Sequence, residues 1–207
     1  IQNLNFESIP EGQTPLQLLL YSSKLKRNNA GKLDRYTLER YAHTELGGWW
    51  CDGVDVITGN PEGTGWGCFK PDKPRMNEEK GKLIKYEHPK LEPTEIFALR
   101  ITPLIWEKIA GNYNVPLPAN YEEVARDPFI FWKWVLDNPD IPLLSTEGAK
   151  KAACLLSCGI VAIAVPGITG GFRTPKNEFN VRIGKRYLIP QMEVFAARGR
   201  KIIFCFD

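Results

Sequence analysis

The chain has 207 residues, 43% of them hydrophobic and 25% charged, which allows one sizeable domain or two small ones and gives no reason to expect disorder. Its longest apolar run, Gly159 to Val165, is too short for a membrane span, and no N-terminal run resembles a signal peptide. The net charge of +3 is uneven: residues 141–207 carry ten Lys and Arg against four Asp and Glu, whereas residues 1–140 carry seventeen against twenty.

In chain order, Thr14-Pro15 reads as an N-cap and first-turn pair ahead of Leu16, Leu18, Leu19 and Leu20, so residues 1–47 are expected to be mainly helical. Asn28-Asn29-Ala30-Gly31 stops this first helix, and a second is expected over Leu33 to Thr44. Residues 48–100 are rich in Gly, Pro and aromatic side chains. Short runs at Val54–Ile57, Trp66–Lys70, Leu83–Glu87 and Ile96–Ile101 predict a small, mostly antiparallel β unit. Helices are expected again over Pro103–Ala110, Tyr121–Arg126 and Phe129–Asp137.

From residue 141 the pattern alternates. Strands are expected at Pro142–Ser145, Ile160–Val165 and Lys201–Phe206, with helices over Gly148–Cys158 and Leu188–Arg198 and a Gly-rich loop from Pro166 to Pro175. Strand, helix, strand, loop, helix, strand implies right-handed βαβ units and a three-stranded parallel sheet. The fold class is therefore α/β, with residues 1–140 forming an α+β N-terminal subdomain and residues 141–207 an α/β core. The start at Ile1 and the stop at Asp207, directly after an apolar strand, are what a fragment of a longer protein would show.

Ligands of parallel α/β sheets bind beyond the carboxyl ends of the strands. Two acidic residues fall there: Glu147, in Ser145-Thr146-Glu147-Gly148-Ala149-Lys150-Lys151-Ala152, and Asp207, after Ile202-Ile203-Phe204-Cys205-Phe206. If the strands are neighbours, both carboxylates face one crevice. The competing explanation for Glu147 is that it begins a helix, where negative charge suits the dipole.

This arrangement resembles the Toprim family of primases, topoisomerases and nucleases. The chain as a whole looks like the Toprim-like domain of unknown function of plasmid- and phage-type primase and helicase proteins. The likeness is carried by Gly48-Trp49-Trp50-Cys51, Trp66 to Arg75, Lys85 to Pro89, Thr146-Glu147-Gly148, Val165-Pro166-Gly167 and the terminal strand. It implies that Glu147 is a general acid/base or metal helper and that Glu147 and Asp207 bind Mg²⁺, or Mn²⁺ in its place. The family's second aspartate would fall two residues past Asp207, so the chain alone is expected to be inactive. Carboxylate-held Mg²⁺ suits phosphoryl transfer because it neutralises charge on the attacking and leaving oxygens.

Nucleic-acid contacts are expected from several places. Lys150 and Lys151 follow Glu147 and gain little from the helix dipole. Thr169 and Arg173 lie on the Gly-rich loop, which lacks P-loop spacing. Lys70, Arg75 and Lys85 interleave with Trp66, Phe69 and Tyr86, a mixture that suits single strands, although such rings more often form a core. His43, Cys51, Cys68 and His88 fit no common zinc pattern, so zinc is not expected. The five cysteines, without a CxxC pair, suit a reduced, cytoplasmic protein, with Cys154, Cys158 and Cys205 as small buried residues.

Three functions are compatible with this reading. The first is Mg²⁺-dependent nucleotidyl or phosphoryl transfer in a primase-like module, with single-stranded DNA or RNA and nucleotides as partners. The second is a non-catalytic nucleic-acid-binding or scaffold domain serving a helicase domain of the parent protein, and the third is a Toprim nuclease.

Overall fold

The computed structural model describes residues 1–60, 63, 65–196 and 199–206. The first half of the chain forms helix α1 (Gln2–Asn5), strand β1 (Phe6–Ile9), helices α2 (Leu16–Leu19) and α3 (Arg35–Tyr41), and a 3-10 segment (Ala42–Leu46). Strands β2 (Gly48–Asp52), β3 (Gly67–Pro71), β4 (Arg75–Asn77) and β5 (Lys82–Ile84) follow, then helices α4 (Pro103–Tyr113), α5 (Tyr121–Val124) and α6 (Pro128–Asp137). The remainder is strand β6 (Leu143–Glu147), helix α7 (Ala149–Ser157), strands β7 (Ala162–Val165), β8 (Phe172–Arg173) and β9 (Tyr187–Leu188), helix α8 (Pro190–Ala196) and strand β10 (Ile202–Cys205).

These elements divide into two units, each discontinuous in sequence. The first comprises Ile1–Leu4, Gly53–Thr64 and Thr94–Asp207, and the second Asn5–Asp52 and Gly65–Pro93. The boundary expected at residue 140 therefore falls inside the first unit, which also takes in α4, α5 and α6.

In the second unit, β1, β2 and β3 form an antiparallel sheet in that order, and β4 and β5 form a hairpin. The core is Ile9, Leu19, Leu20, Leu25, Tyr41, Trp50 and Phe69. The helix expected from Pro15 to Asn28 is a single turn. Its leucines are nearly consecutive rather than spaced for one helical face, and Leu20 leaves helical geometry with φ −125°. The chain beyond is held by the Arg27 guanidinium, which donates to the carbonyls of Leu20 (2.8 Å) and Gly31 (3.1 Å). Strand β1, expected to be helical, pairs with β2 through Phe6↔Cys51 to Ile9↔Gly48.

In the first unit, β6 is the central strand of the order β10-β6-β7, and both pairings are parallel, as expected. Phe97 pairs antiparallel with Ala164 on the outer side of β7, through N···O distances of 2.8 and 3.1 Å. The stretch Ile96–Ile101 is thus extended and largely buried, with one bridge instead of a full strand. The expected strand Val54–Ile57 is a turn, because the Asp55 carboxylate accepts from the Ile57 amide at 2.9 Å and from the Thr58 hydroxyl. The core centres on Trp106, Phe131, Trp132 and Phe195, with Trp132 Nε1 donating to the Leu99 carbonyl at 3.0 Å.

The three cysteines expected to be buried are exposed. Helix α7 buries Ala149, Ala152 and Leu156, a spacing that places Cys154 on another face, and Cys158 follows the helix end. Cys205 lies on β10, whose last three residues are exposed. No helix among the described residues is long and apolar enough to cross a membrane.

Candidate functional site

Strand β6 buries Leu143, Ser145 and Thr146 and ends on Glu147, which is half-buried. Its neighbours hold it in register through Glu147↔Val165 on one side and Thr146↔Cys205 on the other. The Gly148 amide donates to the Val165 carbonyl at 3.0 Å, and α7 begins one residue later. Glu147 therefore closes the strand rather than opening the helix, with its carboxylate at the carboxyl end of the sheet, where α/β proteins hold their ligands.

The turn after Glu147 depends on Gly148, whose φ is +82°. A Cβ there would meet nothing within 4 Å, so only backbone strain opposes a larger residue. Gly148→Ala is expected to cost about 1–2 kcal/mol, measured as a shift in the urea midpoint. A change near zero would show that the turn relaxes without loss.

Alternate residues of a strand share a face, so Glu147 points to the same side of the sheet as Ser145. The Ser145 hydroxyl is fully buried and has no hydrogen-bond partner in the structure. It lines a cavity of about 60 Å³ together with Val165, Phe172, Leu188, Met192 and Phe204. The Glu147 face is therefore the one that carries α8 and the base of the β8–β9 hairpin.

The remaining sequence candidates fall in different settings. Asp207 lies outside the described residues. Lys150 and Lys151 are exposed in the first turn of α7, and Thr169 is exposed in the turn after β7. Arg173 is half-buried and donates to the carbonyls of Gly170 (3.2 Å), Phe172 (3.0 Å) and Thr94 (2.7 Å), so its guanidinium braces the loop. Lys70, Arg75, Lys85, Trp66, Phe69 and Tyr86 belong to the second unit. Phe69 is fully buried, and Trp66 is buried and stacked on His88 with ring centroids 5.2 Å apart. Those two rings are core, not a surface for bases, whereas Tyr86 is 46% exposed. Lys85 is exposed and Lys70 half-buried.

Arg75 is committed elsewhere. Its Nε and Nη2 donate to the two oxygens of the buried Glu87 carboxylate at 2.6 and 3.1 Å, and its guanidinium lies over the Tyr41 ring at 5.5 Å. His43 Nε2 approaches the same carboxylate at 3.3 Å, without the alignment of a full hydrogen bond. Burial pushes the Glu87 carboxyl upward, but His43 and Arg75 outweigh it and hold the group below its ordinary range. The sequence reading missed this cluster, since Glu87 ends a short strand-like run beside lysines and its partners His43 and Arg75 are distant in sequence. Among the described residues, no three His, Cys, Asp or Glu side chains are grouped as a metal ion would require.

A family described as a domain of unknown function (DUF3854) matches residues 131–207. That span begins in α6 and takes in the whole parallel sheet with Glu147. The full chain is 46% identical over 209 residues to an uncharacterized protein of Picosynechococcus sp. (strain ATCC 27264 / PCC 7002 / PR-6). The alignment covers 100% of this chain but 20% of that protein's length, so the chain spans about a fifth of the curated relative it matches. No solved structure matches the chain.

Proposed function

We propose that the chain is part of a Toprim-like module that carries out Mg²⁺-dependent nucleotidyl or phosphoryl transfer on nucleic acid, in the manner of a primase. One observation carries this reading. Glu147 ends the central strand of a parallel sheet, half-buried at its carboxyl end, with the parallel strand β10 alongside leading to Asp207. Mg²⁺ favours one or two protein carboxylates, with water and substrate phosphate filling the other positions. Glu147 fits such a site, and Asp207 is the second carboxylate the reading requires. Bound there, the ion would offset charge on the phosphoryl oxygens. The part of Glu147 is to hold the ion through its carboxylate or to move a proton at the attacking hydroxyl. Single-stranded DNA or RNA and nucleotides are the proposed partners, with a helicase domain of the parent protein as the neighbour it serves.

Mn²⁺ titrated into the full chain tests the site without any assay of activity. Paramagnetic broadening is expected at the amides of Glu147, Gly148 and Val165, and Glu147→Gln should abolish it. In the natural protein that carries this chain, the same substitution should eliminate strand synthesis or cleavage. Broadening that persists in Glu147→Gln, or full activity of that variant, would sink the proposal.

A further inference from the structure

Residues 172–188 form a hairpin that rises from the loop after β7. Phe172↔Leu188 and Arg173↔Tyr187 pair at its base, and Lys176↔Arg182 pair near its tip. The returning strand carries two extra residues between these registers, and Gly184, with φ +71°, takes the bulge that results. The tip is built rather than loose. Asn177 Oδ1 accepts from the amides of Phe179 (3.1 Å) and Val181 (2.9 Å), and Asn180 adopts a left-handed φ of +62°.

The surface of this hairpin is unlike that of a self-contained element. It carries Arg173, Lys176, Arg182, Lys185 and Arg186 against a single acid, Glu178. Every residue from Glu178 to Leu188 is exposed, including Phe179 at 77% and Tyr187 at 55%. Lys176 donates to Asn180 Oδ1 at 2.7 Å, and Arg186 lies over the Phe172 ring at 4.9 Å. Among the described residues, neither these two nor Arg182 and Lys185 pair with a carboxylate. Like charges across a hairpin destabilise it, and rings left in water forgo burial. A polyanion with unstacked bases removes both costs, because phosphates meet the cations and bases stack on the rings.

We infer that the hairpin 172–188 is a preformed clamp for single-stranded nucleic acid, with Phe179 as its stacking tip and Arg182, Lys185 and Arg186 as its phosphate contacts. A duplex fits less well, since its bases offer no free faces to the rings. The base of the hairpin shares its cavity with Ser145, on the Glu147 face of the sheet, so a strand held there is delivered to that carboxylate. Only this last step rests on the proposed function; the binding itself does not.

The test is anisotropy of fluorescein-labelled oligothymidylate and oligouridylate with the full chain, in EDTA, over a range of KCl concentrations. Binding is expected to weaken as salt rises. The triple change Arg182→Ala, Lys185→Ala, Arg186→Ala should lower the slope of log affinity against log salt by about two, at roughly 0.7 per phosphate. Phe179→Ala should weaken binding by roughly tenfold at every salt and leave the slope in place. Exchanging Arg182 and Arg186 for Lys should keep the slope, which separates lost charge from lost structure. Salt-dependent binding of either oligomer supports the clamp. An unchanged slope in the triple variant overturns the inference, as does no binding by the parent chain, which would leave the hairpin as a protein contact. Because EDTA removes metal, binding without Mn²⁺ broadening would sink the catalytic reading alone, and the reverse result would sink the clamp alone.

Discussion

Arg75→Met is expected to lower the stability of the second unit by about 3–5 kcal/mol, because it strands a buried carboxylate. Glu87 is 3% exposed, and its two oxygens take their strongest bonds from Arg75. The methionine keeps the bulk of the side chain and removes the charge, so cavity effects stay small. Pairing it with Glu87→Gln should recover part of the loss, since the uncompensated charge goes as well. Urea unfolding of the two single variants and the double variant measures the coupling, and simple additivity would contradict this account of the cluster.

The same cluster fixes an acid response. The folded Glu87 carboxyl sits below its ordinary value, so it stabilises the fold above the unfolded pKa and loses that contribution as pH falls through the folded one. His88 is also held low, chiefly by burial, although the Gly67 carbonyl at 2.9 Å and Glu87 pull the other way. Its contribution fades in a higher window, as pH falls below the ordinary histidine value of 6.5. Acid weakening should therefore come in two stages. Glu87→Gln should blunt the second and deepen the first, because His88 then loses the neighbouring charge that raises its pKa.

Arg200→Met should cost the first unit about 3 kcal/mol, the second large effect expected here. Arg200 is 7% exposed and donates to the Ile141 carbonyl at 2.5 Å and to the Val135 carbonyl. It therefore ties the last turn of α6 to the segment that leads into β6, placing a cation where the helix dipole favours one. Burial draws its pKa below the usual arginine value, while Asp140 counters. Removing it leaves the Ile141 carbonyl without its donor and the Val135 carbonyl with the Asn138 amide alone, at about 1.5–3 kcal/mol for each charge-assisted bond lost. A loss below about 1 kcal/mol would mean that water replaces the guanidinium.

The parallel sheet was legible because its signals are local. Ile163, Val165 and Ile202 are β-branched residues in short apolar runs, and Gly148 and Gly159 mark the ends of α7. Glu147 could be placed for the same reason, one step beyond such a run. Strand β1 was not legible, since Phe6 to Ile9 includes Glu7 and Ser8 and is fixed by its partner β2, forty residues away. The roles of Arg75 and Arg200 depend on Glu87, Val135 and Ile141, contacts that no spacing announces. The hairpin 172–188 was hidden by its bulge, which breaks the period-two pattern that marks a strand.

The way the two units share the sequence bears on the order in which they are made. All of Asn5–Asp52 and Gly65–Pro93 is synthesised before the first residue of Thr94–Asp207. Chains grow at about 5–20 residues per second, which gives the second unit a lead on the order of ten seconds. During that interval Val54, whose amide donates to the Ala98 carbonyl, and Gly59, which faces the Phe129 ring of α6, wait for those partners to leave the ribosome. The antiparallel sheet with its buried ion pair is thus positioned to be the earlier nucleus, and a translation arrest just before Leu143 would display it finished while the parallel sheet is still unmade.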